Sequence, residues 1–301
     1  MKNKFWSAAV LILTVLIFPA ESHGMDIGVY GGAGNISFDT ELKVPLSDES
    51  DPKRFDLVLF PLIRADVSGE TGFIYYEGGF DRNPILRNQL FATIGINLTY
   101  FKIEVGPLIG LFNTSDEIFN PGFSAGMGLE FPGLLFLNFK ASSSLGNALG
   151  TTGSYTQKTG SLSAGFWVPH VICSLNLNSQ SFALKMETNL LAEDSLNRYF
   201  FRADVYTKNV PFTVKVDIGY GELKRSYYTQ SVSGTELVSD VKDDELKFFY
   251  LGLEAAYTIN PMFRLFLAGE MPVYSWSVPK MKNPEKGAFL FQARGGLILT
   301  L

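Results

Sequence analysis

Apolar residues recur at every second position in segment after segment of this chain. Past residue 22 no uninterrupted apolar run is long enough for a membrane helix. Phe212, Val214, Val216, Ile218 and Tyr220 alternate with Thr213, Lys215, Asp217 and Gly219. Successive side chains of a strand point to opposite faces, so this segment has one apolar face and one polar, charged face. The same code runs through Ala92–Tyr100, Phe123–Phe131, Leu135–Lys140, Ser161–Val168, Arg264–Glu270 and Phe289–Leu301. A period of two cannot be satisfied by a helix, so the chain is all-β.

The alternation leaves open which face meets water. A soluble sandwich turns its apolar face inward, and a membrane barrel turns it outward. Connection lengths separate the two. The pattern predicts fourteen strands at about 26–39, 54–66, 71–80, 89–98, 103–113, 121–131, 134–143, 157–168, 171–191, 198–207, 212–222, 245–258, 262–272 and 288–301. Twelve or sixteen strands are compatible with the same pattern. Odd-numbered connections, such as 40–53, 144–156, 223–244 and 273–287, are longer than every even-numbered one. The short ones carry turn chemistry: Pro132-Gly133, Pro169-His170, Asn209-Val210-Pro211 and Asn260-Pro261. Two segments fit less well. The first strand is glycine-rich, and the ninth changes phase near Gln180-Ser181, which predicts a bulge or a hidden hairpin.

Composition agrees with an apolar outer face. Charged residues are 18% of the chain, below the ~25% of an average soluble domain, and aromatics are 14%. Aromatics gather where strands would cross an interface. Tyr100, Phe101, Phe131, Trp167, Phe212, Tyr257 and Phe263 lie near short turns. Tyr75, Phe112, Tyr199, Tyr220, Tyr227, Tyr228, Trp276 and Phe289 lie near long loops.

These features resemble bacterial outer-membrane β-barrel proteins, in general architecture and without a motif of any one subfamily. The resemblance implies a transmembrane antiparallel up-and-down β-barrel with short periplasmic turns and long outer loops. It also implies outer-membrane lipids and the outer-membrane assembly machinery as partners. Such barrels usually finish on an amphipathic strand with a terminal aromatic residue; here the strand is present and Leu301 stands at that place.

The start reads as a cleaved signal peptide. Lys2 and Lys4 precede an apolar core from Ala8 to Phe18, and Ala20 and Ser22 offer small residues at a cleavage site. The expected division is 1–22 signal and 23–301 a single barrel domain. Cleavage would leave 23 basic and 29 acidic residues, a net charge of −6. Nothing in that balance suits a nucleic-acid partner.

If the apolar face meets lipid, the charged face lines the lumen, because a Lys or Arg at the lipid midplane costs ~2–4 kcal/mol. The expected pore-lining residues are Lys102, Glu104, Glu130, Lys140, Lys185, Glu187, Arg202, Asp204, Lys215, Asp217, Glu254, Arg264, Glu270 and Arg294, with Asp56, Arg64 and Lys247 on the same face. Both signs occur on neighbouring strands, which argues against a strongly ion-selective ring.

Catalysis is not expected. The two histidines are His23, at the start of the barrel domain, and His170, in a short turn. Neither could serve as the base of a hydrolytic site at the outer face. With one cysteine, Cys173, no internal disulfide and no His/Cys metal cluster can form. The run Gly31-Gly32-Ala33-Gly34 fits no nucleotide fingerprint. No cofactor is expected. The function expected from the sequence is a porin-like passive channel for small solutes. The alternative is an occluded structural or surface-interaction barrel that displays its long loops.

Overall fold

A computed structural model describes residues 24–35, 60–112, 118–146, 153–186, 189–206, 210–233, 236–277 and 290–301. The expected signal peptide and connection 40–53 lie outside the described residues, as do Asp56 and Glu187. Fourteen strands run in chain order: β1 Met25–Gly34, β2 Phe60–Thr71, β3 Ile74–Asn83, β4 Arg87–Asn97, β5 Phe101–Phe112, β6 Ile118–Phe131, β7 Leu135–Ser144, β8 Gly153–Val168, β9 Val171–Met186, β10 Asn189–Val205, β11 Phe212–Ser233, β12 Glu236–Asn260, β13 Phe263–Ser277 and β14 Gln292–Thr300. Each pairs antiparallel with its sequence neighbours, and β1 pairs with β14, which closes the barrel. Closure leaves no edge strand, so every strand has a hydrogen-bonded neighbour on both sides. No helix among the described residues is long and apolar enough to cross a membrane.

The apolar faces point outward. Leu175 is 67% exposed, Leu267 64%, Val29 58% and Ile94 57%, each in mid-strand. A large aliphatic side chain left in water forfeits about 1.5–3 kcal/mol of burial. A continuous belt of them is stable only against hydrocarbon. On β11, Phe212 and Tyr220 mark the two borders of that belt. Eight strand steps separate them, about 27 Å along the strand and roughly 20 Å in height at a 40° tilt. Below, Tyr100 and Phe131 stack at 5.8 Å on the outer surface. Above, Tyr220 meets Tyr199, Phe249 and Trp276 at 6.2, 5.8 and 6.0 Å. Closure, the outward apolar belt and its two aromatic borders make this a membrane-spanning β-barrel of the bacterial outer-membrane kind.

The start of β1 and Leu301 meet at the short-turn rim, where Leu301 N donates to Met25 O at 2.8 Å. The turns there are set by local chemistry. Pro169-His170 joins β8 to β9 with His170 at φ 68°, and Gly133 at φ 74° follows Pro132. Proline first and a positive φ second is the type II pattern. His170 is thus a turn residue at the rim of the chain ends.

Several boundaries differ from expectation. Segment 192–197, expected as a loop, is strand within β10, and 223–244 is mostly a long hairpin of β11 and β12. These strands have 22 and 25 residues, against about 9–11 needed to cross the membrane. Loops expected from polar composition are strand there because ladder pairing satisfies the backbone above the membrane too. The connections at that rim are consequently not all longer than those at the other; β3–β4 spans only 84–86. Tyr75, expected in the outer aromatic border, follows a short turn and points inward, 6% exposed.

Candidate functional site: the barrel lumen

The charged alternate positions face inward, and most are neutralised by partners on nearby strands. Arg202 on β10 and its register partner Asp217 on β11 form a bidentate pair at 2.7 and 2.7 Å. Lys215 reaches Glu254 across the β11–β12 ladder at 2.6 Å. Arg264 and Asp26 approach to 3.6 Å near the chain ends. On the opposite wall Glu104 accepts from Tyr75 Oη at 2.6 Å and from Lys140 Nζ at 2.9 Å. Lys140 also bonds Glu77 at 3.3 Å, which pairs with Arg64. Lys102 stands over the Tyr75 ring with its Nζ 3.8 Å from the centroid. Two ion pairs step over at least two intervening strands: Lys140 on β7 to Glu77 on β3, and Arg198 on β10 to Glu270 on β13 at 3.0 Å. Such links narrow the passage as well as lining it.

Of the remaining expected residues, Asp204 and Glu130 lie on inner-face positions without an ion pair among the described residues. Asp204 loses its register partner Lys215 to Glu254. The side chain of Lys185 lies outside the described residues. Lys247 is a correction. It faces outward on β12, 3.1 Å from Glu245 and 3.9 Å from Glu222. Leu246, Phe248 and Tyr250 hold the inner face there, at 1%, 0% and 3% exposure.

That apolar inner face leads to residues the alternation did not single out. The β3–β4 connection folds into the barrel. Asn83 Oδ1 accepts from the N–H groups of Ile85 and Leu86 at 3.0 and 2.7 Å, which turns the chain tightly. Arg87 closes the turn at φ 64°, an uncommon conformation for a side chain of this size. Ile85 and Leu86 are buried to 1% and 2%. Ile85 joins an apolar cluster with Leu196, Phe200, Leu223, Leu246, Phe248, Tyr250 and Leu290, residues of the far wall. On the other side Gln157 Nε2 of β8 donates to Leu86 O. The turn therefore bridges the lumen.

An ion pair fastens it. Asp194 of β10 receives Arg87 at 3.4 Å, 107 residues away in sequence, and a bidentate Arg225 with its Nη2 at 2.6 Å. The three side chains are 3–11% exposed. Around them the lumen is packed. Tyr155, Gln157 and Asn120 have no exposed surface, and Tyr155 packs its ring on Phe182 at 5.7 Å. Asn120 donates to Ser144 Oγ at 3.0 Å, and Gln157 N donates to the same hydroxyl at 2.8 Å. Asn120, Ser144 and Gln157 thus find partners for their buried polar groups, as burial requires.

Below this plug lies a chamber of about 370 Å³. Pro84, Leu196, Phe200 and Tyr250 border it above, and Arg64, Asp81, Arg198, Arg202, Asp217, Glu254, Glu270 and Arg294 line its wall. Among the described residues no group of three His, Cys, Asp or Glu is placed to hold a metal ion.

No family model and no curated protein matches this chain. Solved structures of similar shape include a Pseudomonas aeruginosa FadL homologue, 11% identical, covering 93% of this chain and 89% of its own, TM-score 0.45. Others are the CymD monoaromatic hydrocarbon channel, 7% identical over 93% and 88%, TM-score 0.46, and an outer membrane channel from Pseudomonas putida F1, 7% identical over 95% and 100%, TM-score 0.43. Likeness at this level reaches no further than a closed antiparallel barrel.

Proposed function

We propose that this protein is a gated channel of the bacterial outer membrane for small polar solutes, closed in the conformation described. The observation that carries this reading is the inward β3–β4 turn, seated across the lumen above a water-accessible charged chamber. A barrel built only as a scaffold would gain most from filling its interior. This one keeps a chamber with an ionised wall, and it blocks the outer passage with a short connection rather than with the wall itself. Small solutes would enter when Ile85 and Leu86 leave their apolar seat. Passage is passive, and no catalytic step is part of the reading.

A second reading rests on the ion pairs that step across the barrel, Lys140–Glu77 and Arg198–Glu270. Permanent links of this kind favour an occluded structural barrel that presents its outer hairpins. Single-channel conductance in planar bilayers separates the two. The wild-type chain should be silent or open only briefly, and an Ile85→Ser/Leu86→Ser variant should give steady discrete openings. A variant that inserts, keeps its barrel and stays silent would favour the structural reading.

A further inference from the structure

Two of the guanidiniums that border the chamber hold no carboxylate among the described residues, Arg82 and Arg294, and Arg82 instead stands over the Phe60 ring at 5.4 Å. On β1, Tyr30 lines the chamber, and the next inward position, Gly32, carries no side chain. At Gly32 an added Cβ would lie 2.1 Å from Ala293 O and 2.7 Å from Arg294 Cα, so no side chain can stand there. Beside that gap is Arg294, the register partner of Gly32. Arg64, Arg198 and Arg202 on the same wall each hold a carboxylate, at 2.6, 3.0 and 2.7 Å. Arg294 holds none. Its side chain makes no hydrogen bond or ion pair among the described residues and is solvent-accessible although it lies inside the barrel. Its guanidinium carbon lies 5.5 Å from the Phe266 ring centroid, within cation–π reach, and Arg294 borders the chamber.

We propose that Arg294 anchors a small organic carboxylate within this chamber, the solute class of the channel reading above, on which the inference rests. A guanidinium fork matches a carboxylate with two parallel hydrogen bonds. The chamber volume of about 370 Å³ lies at the low end for small-ligand sites. A carboxylate suits it better than a phosphate dianion. Asp81 and Glu254 also line the chamber and repel a second negative charge more than a first.

Calorimetric titration of the refolded full chain in detergent micelles tests this, with butyrate, inorganic phosphate and butylammonium as probes. Saturable one-site binding of butyrate is expected, with phosphate weaker and butylammonium silent. Arg294→Gln should weaken butyrate at least tenfold, and Arg294→Lys should keep part of the affinity. Circular dichroism checks the barrel in each variant. If Arg294→Gln does not fold, Phe266→Leu replaces it, and a several-fold loss is expected because the guanidinium loses its stacking surface. Unchanged butyrate affinity in these variants, phosphate binding as tight as butyrate, or no anion binding by the wild type overturns the proposal. Binding is read at equilibrium without conduction. An opened variant that conducts while butyrate fails to bind leaves the channel and removes the site; binding without conduction does the reverse.

Discussion

The outer and inner halves of the lumen are built from the same strands on different physical terms. Near the chain ends the inner face is charged and wet: the Arg202, Lys215 and Arg264 side chains keep 32%, 33% and 42% of their surface exposed. Near the other rim the inner face is a protein core, with Leu223, Leu246 and Phe248 at 0–1% exposure. Ion pairs follow the same division. Arg202–Asp217, Lys215–Glu254 and Arg264–Asp26 sit in water-accessible space, where attraction is screened and each pair contributes about 0–1 kcal/mol. Asp194 with Arg87 and Arg225 is sealed, where removing one partner leaves buried charge and costs about 3–5 kcal/mol. The lesson is that a barrel wall can carry a soluble-protein core on its inside wherever a connection is folded in to meet it.

The largest effect should come from Asp194→Ala. It removes the buried carboxylate that Arg87 and Arg225 share and should loosen the turn, lowering stability by about 3–5 kcal/mol in urea unfolding and raising single-channel open probability. Retained stability and a silent channel would show that the turn is not held by this pair. Phe248→Ala should follow closely, at about 3–5 kcal/mol, because it opens a cavity in the plug. Leu175→Ala, with its side chain 67% exposed on the lipid face, should cost far less in the same assay. Equal losses at the two sites would erase the distinction between core and lining.

Much of this division was present in the sequence, in a form that strand periodicity alone misreads. Fourteen strands, closure and the outward apolar face follow from alternation and turn chemistry. Most of the wall charges follow too: Arg202, Asp217, Lys215 and Glu254 sit on the face expected of them. The plug is carried by the phase change near Gln180-Ser181, expected as a bulge or hairpin. The ladder runs through both residues without a break, with Gln180 opposite Leu196 and Ser181 opposite Ser195, and the irregularity falls later, between Leu190 and Ala192. The phase changes because the environment does. Leu175 faces lipid, while Phe182, seven residues on, faces the interior beside the turn. The same switch separates Ile218 from Leu223 on β11 and Leu251 from Phe248 on β12. The same switch on β9, β11 and β12 is the mark of an internal plug. What meets them, Ile85 and Leu86, could not be placed from the sequence. Segment 81–88 reads as a polar loop between strands, and nothing local says that it turns inward.

A fourth change sets the outer face against both halves. Leu267→Arg places a cation in the apolar belt and should cost about 2–4 kcal/mol if that position lies near the bilayer midplane. The test is folding into lipid vesicles. A cost near zero would mean that Leu267 meets headgroups or water, and that the belt is narrower than its aromatic borders suggest.

The smallest effect should come from Arg202→Gln, and it is the sharpest test of the wet half. Its partner Asp217 lies only 17% exposed, yet Arg202 itself keeps 32% of its side-chain surface accessible. Water can therefore solvate the carboxylate when the guanidinium is removed, and Lys215 and Glu254 hold each other regardless. Stability should fall by no more than about 1 kcal/mol, and the difference should shrink in 0.5 M salt, where the Debye length drops to about 4 Å. Asp194→Ala should show almost no such salt dependence, because its partners are sealed from the electrolyte. If Arg202→Gln costs as much as Asp194→Ala and resists salt equally, the inner half is as dry as the outer. The chamber would then hold no water path, and the barrel would be closed along its whole length.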